Sequence, residues 1–323
     1  MLANTENIVK KINLTLSETS FGNKPKELYE PIDYMLALGG KRMRPLISVL
    51  SYLIFKEDYE KAIKPSLSLE VFHNFTLMHD DIMDQAPLRR GQATVHEKWN
   101  PNTAILSGDV MLVKAYDLLL DLEPEVLKQV VTLFNQCATH VCEGQQLDML
   151  FEKRNDVTVE EYLEMIRLKT AVLLGFSMQL GGIIAGASKK DTAYLYQAGV
   201  AIGIGFQLKD DLLDTFGDPA KFGKKVGGDI SSNKKTFLLI RAVELAKGKH
   251  AQELTKLLTE KDSPQKIKGV TDLYNKLGVA NEANIQIQKY FNSGLGSLAK
   301  VKGSIFRRGQ LKQFISQLIE RES

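Results

Sequence analysis

Leu, Ile, Val and Met recur at spacings of three and four residues along nearly the whole chain, and strand-like alternation is scarce. That period places apolar side chains along one stripe of a helix. The pattern predicts an all-α protein. Prolines stand at Pro25, Pro31, Pro45, Pro65, Pro87, Pro101, Pro124, Pro219 and Pro264, and none lies between Glu125 and Asp218. Proline breaks helix interiors, so the longest core helices belong in that gap. The expected spans are 125–152, 158–168, 170–187 and 190–214, with breaks near Asn155-Asp156 and Ser188.

Other breaks are legible. "GGKRMRP" (39–45) reads as a turn entering a helix, with Pro45 near its first turn. "QAPLRRGQ" (85–92) reads as a loop that ends the preceding helix. "FGDPAKFGKKVGGDISSNKK" (216–235), rich in Gly, Lys and Asp, is the least helical stretch. No linker or low-complexity segment divides the chain. One all-α domain over 1–323 is expected, with the helical residues 236–323 forming its C-terminal cap.

Composition narrows the class. The chain has 323 residues, 44% hydrophobic and 25% charged, which is ordinary for a soluble globular protein. A net charge of +3 is too mild for a dedicated nucleic-acid binder. Neither a signal-peptide core nor a membrane-length apolar run is visible, so a cytoplasmic location is expected. Cys137 and Cys142 sit in an apolar helical stretch and read as buried free thiols.

One motif occurs twice. D-D-x-x-D gives Asp80, Asp81 and Asp84 in "HDDIMDQAPLRRG" (79–91), and Asp210, Asp211 and Asp214 in "FQLKDDLLDTFGD" (206–218). Helical positions i and i+4 are neighbours, so Asp80 pairs with Asp84 and Asp210 with Asp214. Carboxylates among apolar neighbours are costly to bury unless a cation compensates them. Oxygen-only ligands favour a hard ion such as Mg2+, which binds one or two carboxylates plus substrate phosphates. A single copy reads equally well as a solvated helix end. Two copies, one followed by arginines and the other by lysines, point to metal and polyanion. Lys41, Arg42 and Arg44 lie in GGKRMRP, Arg89 and Arg90 follow the first motif, and Lys224, Lys225, Lys234 and Lys235 follow the second, which makes two independent basic sets beside two metal triplets. Guanidinium groups fork onto phosphate oxygens, so two phosphorylated substrates are expected, one of them bridged by metal.

"GGKRMRP", "HDDIMDQAPLRRG", "RLKT" and "GFQLKDDLLDTFGD", in this order, resemble the motifs of the trans-prenyl diphosphate synthases of the polyprenyl synthetase family. The resemblance spans roughly residues 35–235. It implies an isoprenoid-synthase-type helical bundle around a deep central cavity, and a homodimer. It implies Mg2+-assisted condensation of isopentenyl diphosphate with an allylic prenyl diphosphate. Asp80, Asp84 and Asp210 would lead the metal ligands of about three Mg2+ ions, with Asp81, Asp211 and Asp214 in support. Asp80, Asp84, Asp210 and Lys169 form the expected catalytic set. Matching motif positions put Arg89, Lys169, Thr170, Gln207, Lys224 and Lys234 at the allylic diphosphate. Lys41, Arg44, His73 and Arg90 would hold isopentenyl diphosphate.

The residues before the first aspartate motif set product length in that family. Phe75 at the fifth position and Thr76 at the fourth make "FTLMHDDIMD" most like a producer of geranylgeranyl (C20) diphosphate, with farnesyl (C15) diphosphate close behind. Phe72, Tyr116 and His140 are further floor candidates. Four rivals fit less well. A terpene cyclase would replace the second aspartate motif with a mixed triad. A non-catalytic subunit would lose one motif. A di-iron bundle needs a second copy of Glu70-x-x-His73, and an HD-type phosphohydrolase needs more than five histidines can supply. The C-terminal "FRRGQLKQFISQLIERES" reads as an amphipathic helix whose Arg307 and Arg308 are solvated surface charges rather than a lid over diphosphates.

Overall fold

The computed structural model describes residues 5–218 and 226–320. The fold is all-α, as the spacing predicts. The only strands among the described residues are a two-residue antiparallel pair, Leu88–Arg89 with Gln92–Ala93. The chain forms two compact units. The first holds the residues up to Phe134, Ser177–Thr192 and Lys302–Leu311. The second holds Asn135–Phe176, Ala193–Val301 and the residues from Lys312 on.

In the first unit, α1 (Thr5–Glu18), α2 (Lys26–Ala37), α3 (Met43–Leu53), α4 (Glu60–Met83), α5 (Val95–Lys98) and α6 (Pro101–Asp117) follow in order. α4 packs against both α3 and α6. From Pro65 to Phe72 every residue of α4 is buried. A helix enclosed on all sides shows no amphipathic stripe, and in that stretch of α4 the polar side chains are satisfied internally. Ser66 and Ser68 satisfy their hydroxyls on the carbonyls of Ile63 and Pro65, at 2.7 Å each.

The longest helices fall in the proline-free gap, as expected: α7 (Pro124–Glu152) and α10 (Lys189–Phe216). Between them, α8 (Val159–Ile166) begins at a reciprocal cap, in which Thr158 and Glu161 each bond the other's backbone. The expected break between residues 168 and 170 is not a break. A π-helical turn, Arg167–Ala171, joins α8 to α9 (Val172–Ile184). Such a turn keeps the helix continuous while re-aiming its side chains, and it often marks a functional position. α7 lies against this turn at Gly144, where an added Cβ would stand 2.2 Å from the Lys169 backbone nitrogen. Backbone cannot rotate away as a side chain can. Gly144→Ala is therefore expected to cost about 1–3 kcal/mol, read as a lowered thermal midpoint, while the surface glycine Gly296, with open space around it, tolerates alanine. An equal midpoint for both variants would contradict that packing.

Two expectations are corrected. Cys137 is buried but Cys142 is exposed. Five residues along a helix turn the side chain by about 140°, so both thiols cannot face one core. Arg307 is only partly exposed and is tied down: it donates to the carbonyls of Leu53 and Lys56 and pairs with Glu57 at 3.6 Å. The carbonyls at the end of a helix lack partners within it, and here the Arg307 guanidinium serves that of Leu53, the last residue of α3, and that of Lys56 just beyond it.

Candidate active site

α4 ends in the first aspartate motif. Asp80 is half-buried, Asp81 is 2% exposed, and Asp84 is an exposed C-cap. α10 ends in the second, where Asp210 is exposed, Asp211 buried and Asp214 half-buried. Neither helix has a basic residue in its last turn. A helix C-terminus is the negative end of the macrodipole and disfavours each nearby carboxylate by roughly 0.3–1 kcal/mol. Asp80, Asp81 and Asp214 thus stand in or beside the last turn of their helices, where positive charge or hydrogen-bond donors are needed to offset them.

Within each motif the second aspartate turns inward to a protein donor. Asp81 receives a bidentate grip from Arg89: Nε lies 2.9 and 2.8 Å from the two oxygens, and Nη2 lies 2.7 Å from Oδ1. Asp211 accepts from the Tyr162 hydroxyl and from Gln207 Nε2 at 3.0 Å. Burial, reinforced by the charge of Asp229, pushes the Asp211 carboxyl up to about 7, against the hydrogen bonds of Tyr162 and Gln207 and the charge of Lys234. Asp214 Oδ2 accepts from the Asp229 backbone N–H at 2.9 Å, at the start of the short helix Gly228–Ser231. Asp80, Asp84 and Asp210 remain the outward members. Among the described residues, no three His, Cys, Asp or Glu side chains enclose a metal by themselves. Mg2+ does not require that, since it fills its octahedron with water and substrate phosphate. The oxygen-only donor set and its unfavourable helix ends fit such an ion.

In the first unit, residues far apart in sequence converge. Arg89 and Arg90 belong to the short hairpin, whose two-residue turn is Arg90-Gly91 with φ of 53° and 76°. Two positive φ values make the type I′ turn that matches strand twist. The "RRG" of the motif is therefore a hairpin tip. It returns Arg89 to Asp81 and brings the Arg90 guanidinium against Gly40, where a Cβ would lie 3.2 Å from both terminal nitrogens. His73 stands among Arg44, Arg90 and Arg89. Burial first, and then those three charges, hold it well below the usual histidine range. It is neutral near pH 7 and available as a hydrogen-bond donor. Lys41 is exposed on the same loop.

In the second unit, the π turn carries Lys169 and Thr170. Lys169 Nζ pairs with Asp148 Oδ2 at 2.7 Å. Thr170 Oγ1 donates to Gln207 Oε1 at 3.4 Å, and Gln207 continues to Asp211. One polar chain thus runs Thr170–Gln207–Asp211–Tyr162. Lys234 is exposed. Lys224 and Lys225 lie outside the described residues.

Below the first motif, Phe75 stacks edge-on against His79 and lies 5.6 Å from Phe72. Phe72 meets Phe134, and Phe134 meets Tyr116, at centroid distances of 5.1 and 4.8 Å. Phe75 therefore begins a continuous aromatic layer. Thr76 spends its hydroxyl on the His73 carbonyl at 2.8 Å.

Sequence reasoning missed Asp148, Tyr162, Asp229 and the role of Glu70. The run "EGQQLD", the longest nearly all-polar stretch of α7, was a signal for Asp148. Tyr162 looks like any core aromatic until its partner is known.

The polyprenyl synthetase family model matches residues 25–277. A geranylgeranyl diphosphate synthase of Sulfolobus acidocaldarius is 36% identical over 315 residues, covering 96% of this chain and 95% of that one. A geranylfarnesyl diphosphate synthase of Natronomonas pharaonis is 38% identical over 249 residues, 72% of this chain and 73% of that protein. A crystal structure of a geranylgeranyl pyrophosphate synthase superposes with a TM-score of 0.94 at 40% identity, covering 100% of both chains.

Proposed function

Because this chain belongs to the polyprenyl synthetase family, we propose that it joins isopentenyl diphosphate to an allylic diphosphate, releasing a short all-trans prenyl diphosphate. The observation that carries this reading is the cluster of Arg44, Arg89 and Arg90 around neutral His73. His73 lies on α4, the helix whose last turn carries Asp80, about 10 Å further along. A polyanion site and a cation site so spaced on one rigid element suit two diphosphates reacting together.

In this reading Lys41, Arg44, His73 and Arg90 hold isopentenyl diphosphate. Lys169, Thr170, Gln207, Lys224 and Lys234 attend the allylic diphosphate, and Arg89 contributes while anchored on Asp81. Asp80, Asp84 and Asp210 would hold Mg2+, with Asp214 in support; the bound ion would neutralise the diphosphate leaving group and so promote C–O ionisation. Asp81 and Asp211 orient their neighbours. The isopentenyl double bond then attacks the allylic cation, and the departing diphosphate takes the proton, so no side chain is assigned as base. Residues 1–323 are read as one synthase domain, since the chain passes between the two units repeatedly rather than through a single linker. A homodimer is favoured by the outer side of α6 and the turn after it, where Leu106, Val113 and Leu120 are 58%, 59% and 61% exposed. No described helix is long and apolar enough to cross a membrane, and a cytoplasmic enzyme accords with that.

The test is incubation with Mg2+, isopentenyl diphosphate and, in parallel, dimethylallyl, geranyl or farnesyl diphosphate, with mass spectrometry of the dephosphorylated products. A dominant C20 chain is expected. A C15 or C25 product moves the chain length only, as does a ladder to C30 or beyond. No elongation, or a cyclised hydrocarbon, overturns the reading. Phe75→Ala is expected to lengthen the product by at least one five-carbon unit, because it opens the top of the aromatic layer. An unchanged product spectrum would remove Phe75 from the floor.

A further inference from the structure

The loop before α3 is bent in an unusual way. Gly39 and Gly40 have φ of 82° and 150°, and Arg42, which is not glycine, has φ of 47°. A left-handed conformation costs an L-residue roughly 1–2 kcal/mol, so something must hold it. Arg42 is 7% exposed, and each of its three guanidinium nitrogens donates a hydrogen bond. Nη1 donates to Glu70 Oε1 at 2.7 Å, Nη2 to the Leu36 carbonyl at 2.8 Å, and Nε to Asn13 Oδ1 at 3.1 Å. Glu70 is 3% exposed and is itself fixed from α4. Asn74 Nδ2 donates to the Glu70 carbonyl at 2.8 Å and reaches its Oε1 at 3.4 Å.

We infer that Glu70 is a positioning residue for the isopentenyl diphosphate site, acting through Arg42. Arg42 is the N-cap of α3, so drawing its side chain inward sets where α3 starts. That leaves Lys41 outside and puts Arg44 in the first turn, beside His73. The same bend lays Gly40 on the Arg90 guanidinium. Glu70 and His73 are three residues apart, on one face of α4. The carboxylate thus fixes the loop to the helix that carries the histidine. Its negative charge also supports the charged form of Arg90 against burial and the neighbouring Arg89 and Arg42. A buried ion pair is weak evidence of stabilisation by itself. Here it holds two substrate-facing cations through a strained turn.

This inference rests on the proposed site, so its test separates the two. The full-length chain and two variants, Glu70→Gln and Asn13→Ala, would be titrated calorimetrically with isopentenyl diphosphate without metal, and assayed for both substrates' KM. Glu70→Gln should raise the isopentenyl diphosphate Kd and KM about tenfold, with the allylic KM and saturated kcat within about twofold. Asn13→Ala removes only the Nε acceptor from an exposed position. It should act in the same direction, about two- to threefold, with an unchanged unfolding midpoint. Unaltered isopentenyl diphosphate binding in both variants would overturn the inference, as would equal losses for the two substrates. Failure of the unaltered chain to bind isopentenyl diphosphate would remove the site itself, and the inference with it.

Discussion

Replacing Asp80 with alanine is expected to lower kcat by about a thousandfold and leave the unfolding midpoint unchanged or slightly raised. A metal-held leaving group gains several kcal/mol of charge stabilisation, and about 4 kcal/mol is a thousandfold in rate. Asp80 is only half-buried and adds negative charge to the negative end of α4, so its removal should cost the fold little. Asp210→Ala should behave alike, because Asp210 holds the matching first position of the second motif and is more exposed than Asp80. Single-turnover rates and thermal melts, measured together, decide the point. A variant that keeps its rate, or that melts early, would show Asp80 to be structural.

Asp81→Ala should do the reverse in proportion. It removes the partner of a bidentate pair whose carboxylate is 3% and whose guanidinium is 23% exposed. Breaking a buried pair costs about 3–5 kcal/mol because a charge is left without its counterion. Arg89 retains some access to water, so about 2–3 kcal/mol is expected here. The midpoint should fall by several degrees, at about 2–4 °C per kcal/mol for a chain somewhat smaller than this one. The freed hairpin should weaken diphosphate binding, seen in KM more than in kcat. Asp81→Ala with a normal midpoint and a collapsed kcat would instead put Asp81 on the metal.

These opposite expectations for adjacent residues mark a boundary in what a sequence tells. Sequence alone determined the helical class, the proline-free span of α7 to α10, and the two aspartate motifs with their basic followers. Those are properties of spacing and residue type, and local geometry repeats them faithfully. It also pointed to His73 and Arg90 through the resemblance of their motifs. Only the tertiary structure divided the six aspartates into inward and outward members. That choice depends on where Arg89, Tyr162 and Gln207 arrive from other elements. It turned the supposed break at Lys169 into a π turn, because close packing of Gly144 on continuous helix is invisible in a one-dimensional pattern. It turned Arg42, one of the basic residues of GGKRMRP, inward to Glu70. It exposed Cys142 and tied Arg307 to α3. A residue's type limits which bonds it can make, but the partner that reaches it first is decided by packing.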